Sequence, residues 1–96
     1  MAKALLVFNA RRAYPDGTIT QIRIWKLPQA TEERPHGYKY SLFFGRPGER
    51  LVGYDNDRDK GDHKHIKGLQ SAYVFTNIDQ LFIDFRRDVA LMRKKL

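Results

Sequence analysis

Residues 38–55 have the sequence YKYSLFFGRPGERLVGYD, and this stretch decides the fold. Large apolar side chains recur in it at every second residue, which is the period of a half-buried β-strand: Tyr38, Tyr40, Leu42 and Phe44. Residues 45–49 then have the composition of a hairpin turn, and residues 50–55 form a return strand. The stretch therefore predicts an antiparallel hairpin.

An earlier stretch predicts a second hairpin. Residues 4–8 are an apolar run long enough for one strand. Residues 14–18 form a turn, because its proline fixes φ and its glycine supplies a positive φ. Residues 19–27 then alternate between two faces, and Pro28 ends that strand because it withholds a donor from the ladder.

The C-terminal part of the chain predicts an α-helix. Thr76 precedes Asp79 by three residues, which resembles a capping box with a shortened acidic arm. Apolar side chains then follow at helical spacing: Ile78, Leu81, Phe82, Phe85, Val89 and Met92. This stripe predicts a helix that lies on the sheet.

Between the second hairpin and the helix, residues 56–71 (NDRDKGDHKHIKGLQS) are polar and are interpreted as a loop. Residues 73–75 predict at most a short edge strand. The order of elements predicts an α+β fold. We expect a small antiparallel β-meander of about four strands, with a possible short fifth, and one C-terminal α-helix packed on one face. We expect residues 1–96 to form a single domain.

The composition limits the class of protein. Of the 96 residues, 42% are hydrophobic, which excludes a disordered tail. Cysteine is absent, which excludes disulfides, thiolate nucleophiles and cysteine-type zinc sites. No apolar run approaches the roughly 20 residues that cross a bilayer. The N-terminal sequence MAKALLVF lacks a small-residue cleavage site and favours a strand over a signal peptide. A cytoplasmic protein without a membrane partner is therefore expected.

The charge balance indicates a class of partner. Eighteen Lys and Arg residues against eleven Asp and Glu residues give a formal net charge of +7. Excess positive charge on a small domain favours nucleic acid or an acidic protein as the partner. The alternative is that these basic side chains only keep the surface soluble.

The densest group of chemically active side chains lies within residues 54–65. The ribose 2′-OH of RNA can attack its own phosphodiester, so an enzyme need supply only a base, an acid and positive charge. His63 and His65 titrate nearest neutral pH and can supply the base and the acid. The other candidate catalytic residues are Lys60, for charge on the phosphate, and Asp62, to orient an imidazole. In extended backbone, the two histidines point one way and Lys64 the other.

A second set of residues is expected to contact the nucleic acid. His36 and Lys39 lie at the start of the aromatic strand, where a hairpin brings them near the end of the return strand at Tyr54. Trp25 and Tyr38 can stack on bases, although core packing is the commoner use of strand aromatics. The expected nucleic-acid-binding residues are Lys39, His36, Tyr54, Asp55, Asn56 and Lys64.

Simpler interpretations of the same residues stay open. Tyr54 can be a packing residue, and Asp55 and Asn56 can cap a turn through their own side chains. The charged run at residues 57–60 can be a solvated surface. His63 and His65, with Asp55 or Asp62, also have the ligand types of a divalent metal site. The main hypothesis uses no metal and no cofactor.

Several short elements follow one another along the chain: residues 25–28 (WKLP), 36–42 (HGYKYSL), 54–56 (YDN), 60–65 (KGDHKH), 73–75 (YVF) and 84–85 (DF). In this order they resemble the TumE family of bacterial and archaeal toxins of toxin–antitoxin systems, with YDN and KGDHKH the most specific. Two positions depart from the pattern: Asp59, where a small residue is expected, and Ile66, where an aromatic is common. The resemblance covers nearly the whole chain. It implies a small toxin encoded beside a helix-turn-helix antitoxin, and it leaves the target open.

Three hypotheses for function follow. The first is a toxin that cleaves RNA without metal by 2′-OH attack, with the site in residues 54–65. The second is a non-catalytic basic toxin that binds and blocks nucleic acid or a protein target. The third is a metal-dependent nuclease whose ligands are Asp55, Asp62, His63 and His65.

Overall fold

The computed structural model describes residues 3–56 and 61–96, and within them the chain forms an antiparallel sheet of six strands followed by a helix. Each strand pairs with the next one along the chain, in the spatial order β1-β2-β3-β4-β5-β6. The elements are β1 (Leu5–Ala13), β2 (Ile19–Lys26), β3 (Tyr38–Arg46), β4 (Glu49–Asp55), β5 (His63–Ile66), β6 (Leu69–Ala72) and α1 (Ile78–Arg93). The predicted α+β meander with a C-terminal helix is confirmed.

The first predicted turn has the expected conformation. Gly17 has φ +87°, and its N–H donates to the Tyr14 carbonyl at 3.1 Å. Asp16 Oδ1 accepts from the backbone N–H of Thr18 at 2.9 Å and from its hydroxyl at 2.6 Å. Arg93 at the end of α1 donates to the same hydroxyl at 3.1 Å, so the turn is tied to the helix.

The core lies between α1 and one face of the sheet, which we call the helix face. Ile24 pairs with Tyr40 across β2 and β3, and Leu42 pairs with Tyr54 across β3 and β4. This register points alternate side chains of β2, β3 and β4 towards the helix. The helix contributes Leu81, Phe85, Val89 and Met92, as its apolar stripe predicts. The buried apolar residues of the sheet are Ile24, Tyr40, Leu42, Phe44, Leu51, Val52 and Tyr54.

The expected strand count was wrong, because the segment interpreted as a polar loop contains β5 and β6. β5 pairs with β4 in register, with Asp55 opposite His63 and Tyr54 opposite Lys64. Its polar side chains find partners on neighbouring strands and on α1, so the segment joins the sheet without an apolar alternation. Residues 73–75, expected as a possible edge strand, lie outside the sheet.

The helix begins one residue later than the predicted capping box. Asn77, not Thr76, is the N-cap, with extended backbone at φ −157° and ψ 171°. Its Oδ1 accepts from the N–H of Gln80 at 2.8 Å, and this side-chain bond satisfies one of the unpaired donors of the first turn. Across residues 3–56 and 61–96, no helix is long and apolar enough to span a membrane.

Candidate functional site

The two faces of β5 carry different side chains. Tyr54 and Lys64 are cross-strand partners, and both reach Asp88 on α1. His63 and His65, at the alternate positions of β5, therefore lie on the opposite side of the sheet, which we call the open face. The expectation that the two histidines point together, away from Lys64, is confirmed: their ring centroids are 4.9 Å apart.

His63 is held on both ring nitrogens. Its Nδ1 lies 3.0 Å from the Gly61 carbonyl, and its Nε2 lies 2.5 Å from Asp55 Oδ1. Because a carbonyl oxygen only accepts, Nδ1 carries a proton and donates it to Gly61. The contact between Nε2 and Oδ1 joins the imidazole to the carboxylate. The His63 side chain is only 4% exposed, against 18% for that of Asp55. The pair is thus held in one geometry, and the carboxylate is its more exposed member.

Arg50 brings positive charge to the same carboxylate. Its Nη1 lies 3.6 Å from Asp55 Oδ2, whereas His63 contacts the other carboxylate oxygen, Oδ1. The Arg50 side chain crosses Gly53, where a Cβ would lie 2.6 Å from Arg50 Cδ. Because Gly53 has no side chain, the Arg50 side chain can lie across it and reach Asp55. We call Asp55, His63, His65 and Arg50 the open-face cluster.

Sequence reasoning missed Arg50 because simple alternation places it with Val52 and Tyr54 on the helix face. The register between β3 and β4 shifts after Phe44, which pairs with Val52 while Gly45 pairs with Arg50. This β-bulge adds one residue to β4 and reverses the side on which Arg50 projects. Alternation along the chain carries no signal for this extra residue.

A basic and aromatic strip continues from the open-face cluster across the sheet. Arg23 pairs with Ser41, which pairs with Asp55, so these residues form one row on neighbouring strands. Because neighbouring strands lie about 4.8 Å apart, the backbone of Arg23 lies roughly 10 Å from that of Asp55. In the next row, Lys39 pairs with Trp25, and its Nζ lies 5.3 Å from the Trp25 ring. Two residues expected to bind nucleic acid, Lys39 and Asp55, are thereby placed on one face.

Asp62 and His36 form a separate pair. Asp62 Oδ1 lies 3.0 Å from His36 Nε2 and accepts from the Tyr40 hydroxyl at 2.6 Å. His36 Nδ1 accepts from the N–H of Tyr38 at 3.2 Å, so Nε2 carries the proton that points at Asp62. The His36 ring packs on the Phe75 ring, with the two ring centroids 4.0 Å apart. Asp62 thus orients an imidazole, as expected, and that imidazole is His36. The carboxylate that contacts His63 is Asp55.

Tyr54 and Asn56 are buried and hydrogen-bonded within the fold. The Tyr54 hydroxyl donates to Asp88, and burial followed by this bond raises its pKa far above the ordinary value. Asn56 Oδ1 accepts from the N–H of Tyr40 at 3.0 Å, and its Nδ2 donates to the Tyr38 carbonyl at 2.8 Å. The Asn56 amide therefore extends the β3–β4 pairing beyond the end of β4.

The two lysines expected at the site are placed differently. Lys64 Nζ lies 3.3 Å from Asp88 Oδ2 and 5.8 Å from the Tyr54 ring, on the helix face. Lys60 lies outside the described residues. Among the described residues, the cation nearest to the Asp55 carboxylate is therefore supplied by Arg50.

Three residues of the open-face cluster also have the chemistry of a metal site. Asp55, His63 and His65 each offer one ligand atom, and these atoms all lie within 4.8 Å of one another. Imidazole and carboxylate together suit divalent transition metals. Asp62, the remaining ligand expected from the sequence, is engaged with His36 and Tyr40 instead.

Comparison with known proteins gives one match. The family model described as "Toxin TumE" matches residues 3–93, which is nearly the whole chain and includes every residue of the open-face cluster. No curated protein and no solved structure matches the chain.

Proposed function

The chain belongs to the TumE family of toxins, and from this membership we propose that it is the toxin of a type II toxin–antitoxin system. Its partner is then an antitoxin protein of the helix-turn-helix class, encoded by the adjacent reading frame. We further propose that the toxin acts in the cytoplasm and arrests growth by cleaving RNA at the open-face cluster, without a metal ion.

One observation carries the proposed chemistry: the contacting Asp55–His63 pair stands beside a second imidazole and a guanidinium. Attack by a ribose 2′-OH requires a base to take its proton, an acid to protonate the leaving 5′-oxygen, and a cation to stabilise the phosphorane. His63 with Asp55 and His65 supply two proton-exchanging groups, and Arg50 supplies the charge. No protein nucleophile is needed, which is consistent with a chain that has no cysteine.

The strip beside the cluster supports RNA as the substrate. Trp25 offers a face for base stacking, which is worth about 1–3 kcal/mol per base. Lys39 and Arg23 are exposed cations that can contact phosphates on either side of the scissile bond. The row from Arg23 to His63 crosses four strands, so a strand of RNA lying along it would pass over the cluster.

The test is cleavage of a single-stranded RNA by purified protein in chelator. His63→Ala, His65→Ala and Asp55→Asn are each expected to slow cleavage by about 10²–10⁴, the usual effect of losing a general acid–base group. Products should end in 2′,3′-cyclic phosphate, and 2′-deoxyribose at the cut site should block the reaction. Asp84→Asn is the matched control for Asp55→Asn, because it removes a hydrogen-bonded carboxylate on α1, outside the cluster.

Two outcomes would contradict this mechanism. Equal cleavage of the deoxy substrate would exclude 2′-OH attack. A His63→Ala variant that arrests growth as strongly as the wild type would show that the toxin acts as a non-catalytic blocker. Thermal unfolding of each variant, followed by circular dichroism, separates loss of chemistry from loss of fold.

A second candidate function, metal-dependent RNA hydrolysis, is favoured by the Nδ1–H bond from His63 to the Gly61 carbonyl. Metal-ligating histidines commonly donate their other N–H to a carbonyl or carboxylate in this way. Asp55, His63 and His65 would hold the ion, which would activate a water for attack. Loss of activity in chelator, with recovery on addition of Mn²⁺ or Zn²⁺, would support this candidate over the metal-free mechanism.

A further inference from the structure

A groove runs along the helix face beside the first hairpin, on the opposite side of the sheet from the open-face cluster. α1 packs mainly against β4, so it leaves part of the β1–β2 hairpin uncovered. Every residue of β1 is exposed, and Phe8 touches Phe82 of α1 edge to face with ring centroids 5.0 Å apart. We call this the edge groove; its apolar lining includes Phe8, Ala10, Ile22, Phe82, Phe85 and Val89.

The edge groove is large, and the strand that borders it carries further exposed apolar side chains. Its volume of about 340 Å³ is roughly twice that of a protein cavity that holds benzene. Leu5, Leu6 and Val7 are 66%, 51% and 51% exposed at the start of the same strand. Because β1 is an edge strand, such an apolar run is a liability for a monomer unless a partner covers it.

Unpaired positive charge borders the groove. Arg12 and Arg86 both line it, and neither makes an ion pair with another residue in the ranges 3–56 and 61–96. Each guanidinium lies near an aromatic ring instead, Arg12 at 5.2 Å from Tyr14 and Arg86 at 5.9 Å from Phe82. A third arginine, Arg93, is already paired with Asp16 at 3.5 Å.

We propose that the edge groove docks an amphipathic, acidic segment of the antitoxin, with apolar side chains on Phe8 and Phe82 and carboxylates on Arg12 and Arg86. This inference rests on the type II partnership proposed above. Charge complementarity selects this occupant: a second copy of this +7 chain, docked symmetrically through the same surface, would bring Arg12 and Arg86 towards their own counterparts. The antitoxin then binds the face away from the open-face cluster, so binding and catalysis are separable by mutation.

The experiment measures the affinity of the purified toxin for the protein encoded by the adjacent reading frame, by isothermal titration calorimetry. Arg12→Glu and Arg86→Glu are each expected to weaken binding about tenfold, because reversal replaces an attraction with a repulsion. Lys67→Glu makes the same charge change on the β5–β6 hairpin and should leave affinity unchanged. Phe8→Ser should weaken binding at least about tenfold, whereas Leu69→Ser on the opposite edge strand should not.

Hydrogen exchange gives a readout that does not depend on mutation. Binding of the antitoxin should protect amides of β1 and α1, with no new protection in β4 and β5 at the cluster. Unchanged affinity of the groove variants, or protection confined to β4 and β5, would overturn the proposal. So would a wild-type dimer in sedimentation that Phe8→Ser dissociates, since a second copy would then occupy the groove.

RNA cleavage by the free variants is measured in parallel, so that the two proposals fail separately. Arg12→Glu and Phe8→Ser should cleave RNA at the wild-type rate and should escape neutralisation in cells. If the wild type leaves RNA intact while the groove variants lose antitoxin binding, the proposed nuclease activity fails and the docking site stands.

Discussion

Replacing Gly53 with alanine tests whether Arg50 acts at the open-face cluster. A Cβ at this position would lie 2.6 Å from Arg50 Cδ, 3.2 Å from Nε and 3.4 Å from Nη1. All three nearest atoms belong to one flexible side chain, so the backbone of β4 can stay in place while the arginine moves. Gly53→Ala is therefore expected to displace the guanidinium from Asp55 with little change in the fold.

The expected change in stability is small. The Arg50 side chain is 41% exposed, and ion pairs this exposed contribute about 0.2–1 kcal/mol to the free energy of unfolding. Replacing a strand glycine with alanine raises the free energy of unfolding by about 0.5–1 kcal/mol, because the unfolded chain then has lower backbone entropy. The two effects have opposite sign, so the free energy of unfolding should change by less than about 1 kcal/mol.

The expected change in activity is large. Losing a preorganised charge that stabilises the transition state typically costs about 10²–10³ in rate. Gly53→Ala and Arg50→Ala should each slow single-turnover RNA cleavage by that order. The double variant should be no slower than Arg50→Ala alone, because both changes remove the same interaction.

Gly45→Ala is the matched control for Gly53→Ala. A Cβ at position 45 would lie 2.0 Å from the Glu49 carbonyl oxygen, so the backbone of the β3–β4 hairpin would have to shift. It should destabilise the protein by about 1–3 kcal/mol, as overpacking does. Urea unfolding gives the stabilities and the cleavage assay gives the rates. Wild-type cleavage by a folded Gly53→Ala variant would refute the assignment of Arg50 to the site.

Three further predictions concern the core, the acid response and the RNA-binding face. Phe85→Ala removes a ring that is 2% exposed and should lower the free energy of unfolding by about 3–5 kcal/mol; an unchanged urea midpoint would mean that α1 does not dock there. The hydrogen bond from Tyr73 lowers the pKa of Asp84 in the folded state, so its stabilisation is present above about pH 4 and is lost as the pH falls further. Tyr73→Phe should therefore flatten the acid limb of the stability–pH curve, and an equally steep limb would contradict this. Lys39→Glu should weaken RNA binding and lower the slope of log affinity against log salt concentration by about 1. Lys64→Glu should chiefly destabilise the fold, since the partner of Lys64 on α1 is an aspartate. Equal salt slopes for the wild type and Lys39→Glu would argue against phosphate contact by Lys39.

The two faces of the sheet carry different kinds of side chain. The helix face builds the core, and its polar groups serve as hydrogen-bond partners: the hydroxyls of Tyr40, Tyr54 and Tyr73 each donate to a carboxylate. Burial and these bonds raise the pKa values of all three tyrosines, so they remain donors throughout the neutral range. The open face carries the Asp55–His63 pair and the exposed cations, and it is where RNA is proposed to bind.

Local sequence patterns were sufficient to predict the hairpins, the helix and the common direction of the two histidines. Alternation over residues 38–44 and the helical spacing from Ile78 to Met92 predict a meander carrying a helix, because each period places apolar side chains on one side of its own element. The spacing of His63 and His65 likewise places both imidazoles on one face of a strand. The short motifs were also enough to indicate the TumE family.

Only the tertiary structure decided which polar groups meet. β5 and β6 lack an apolar period, and they are strands because β4 provides a ladder for them. Asp62 pairs with His36, 26 positions earlier in the sequence, and no local pattern encodes that distance. Arg50 reaches the cluster because a bulge after Phe44 adds one residue to β4. Since side chains alternate with a period of two residues, that single extra residue moves Arg50 from the helix face to the open face.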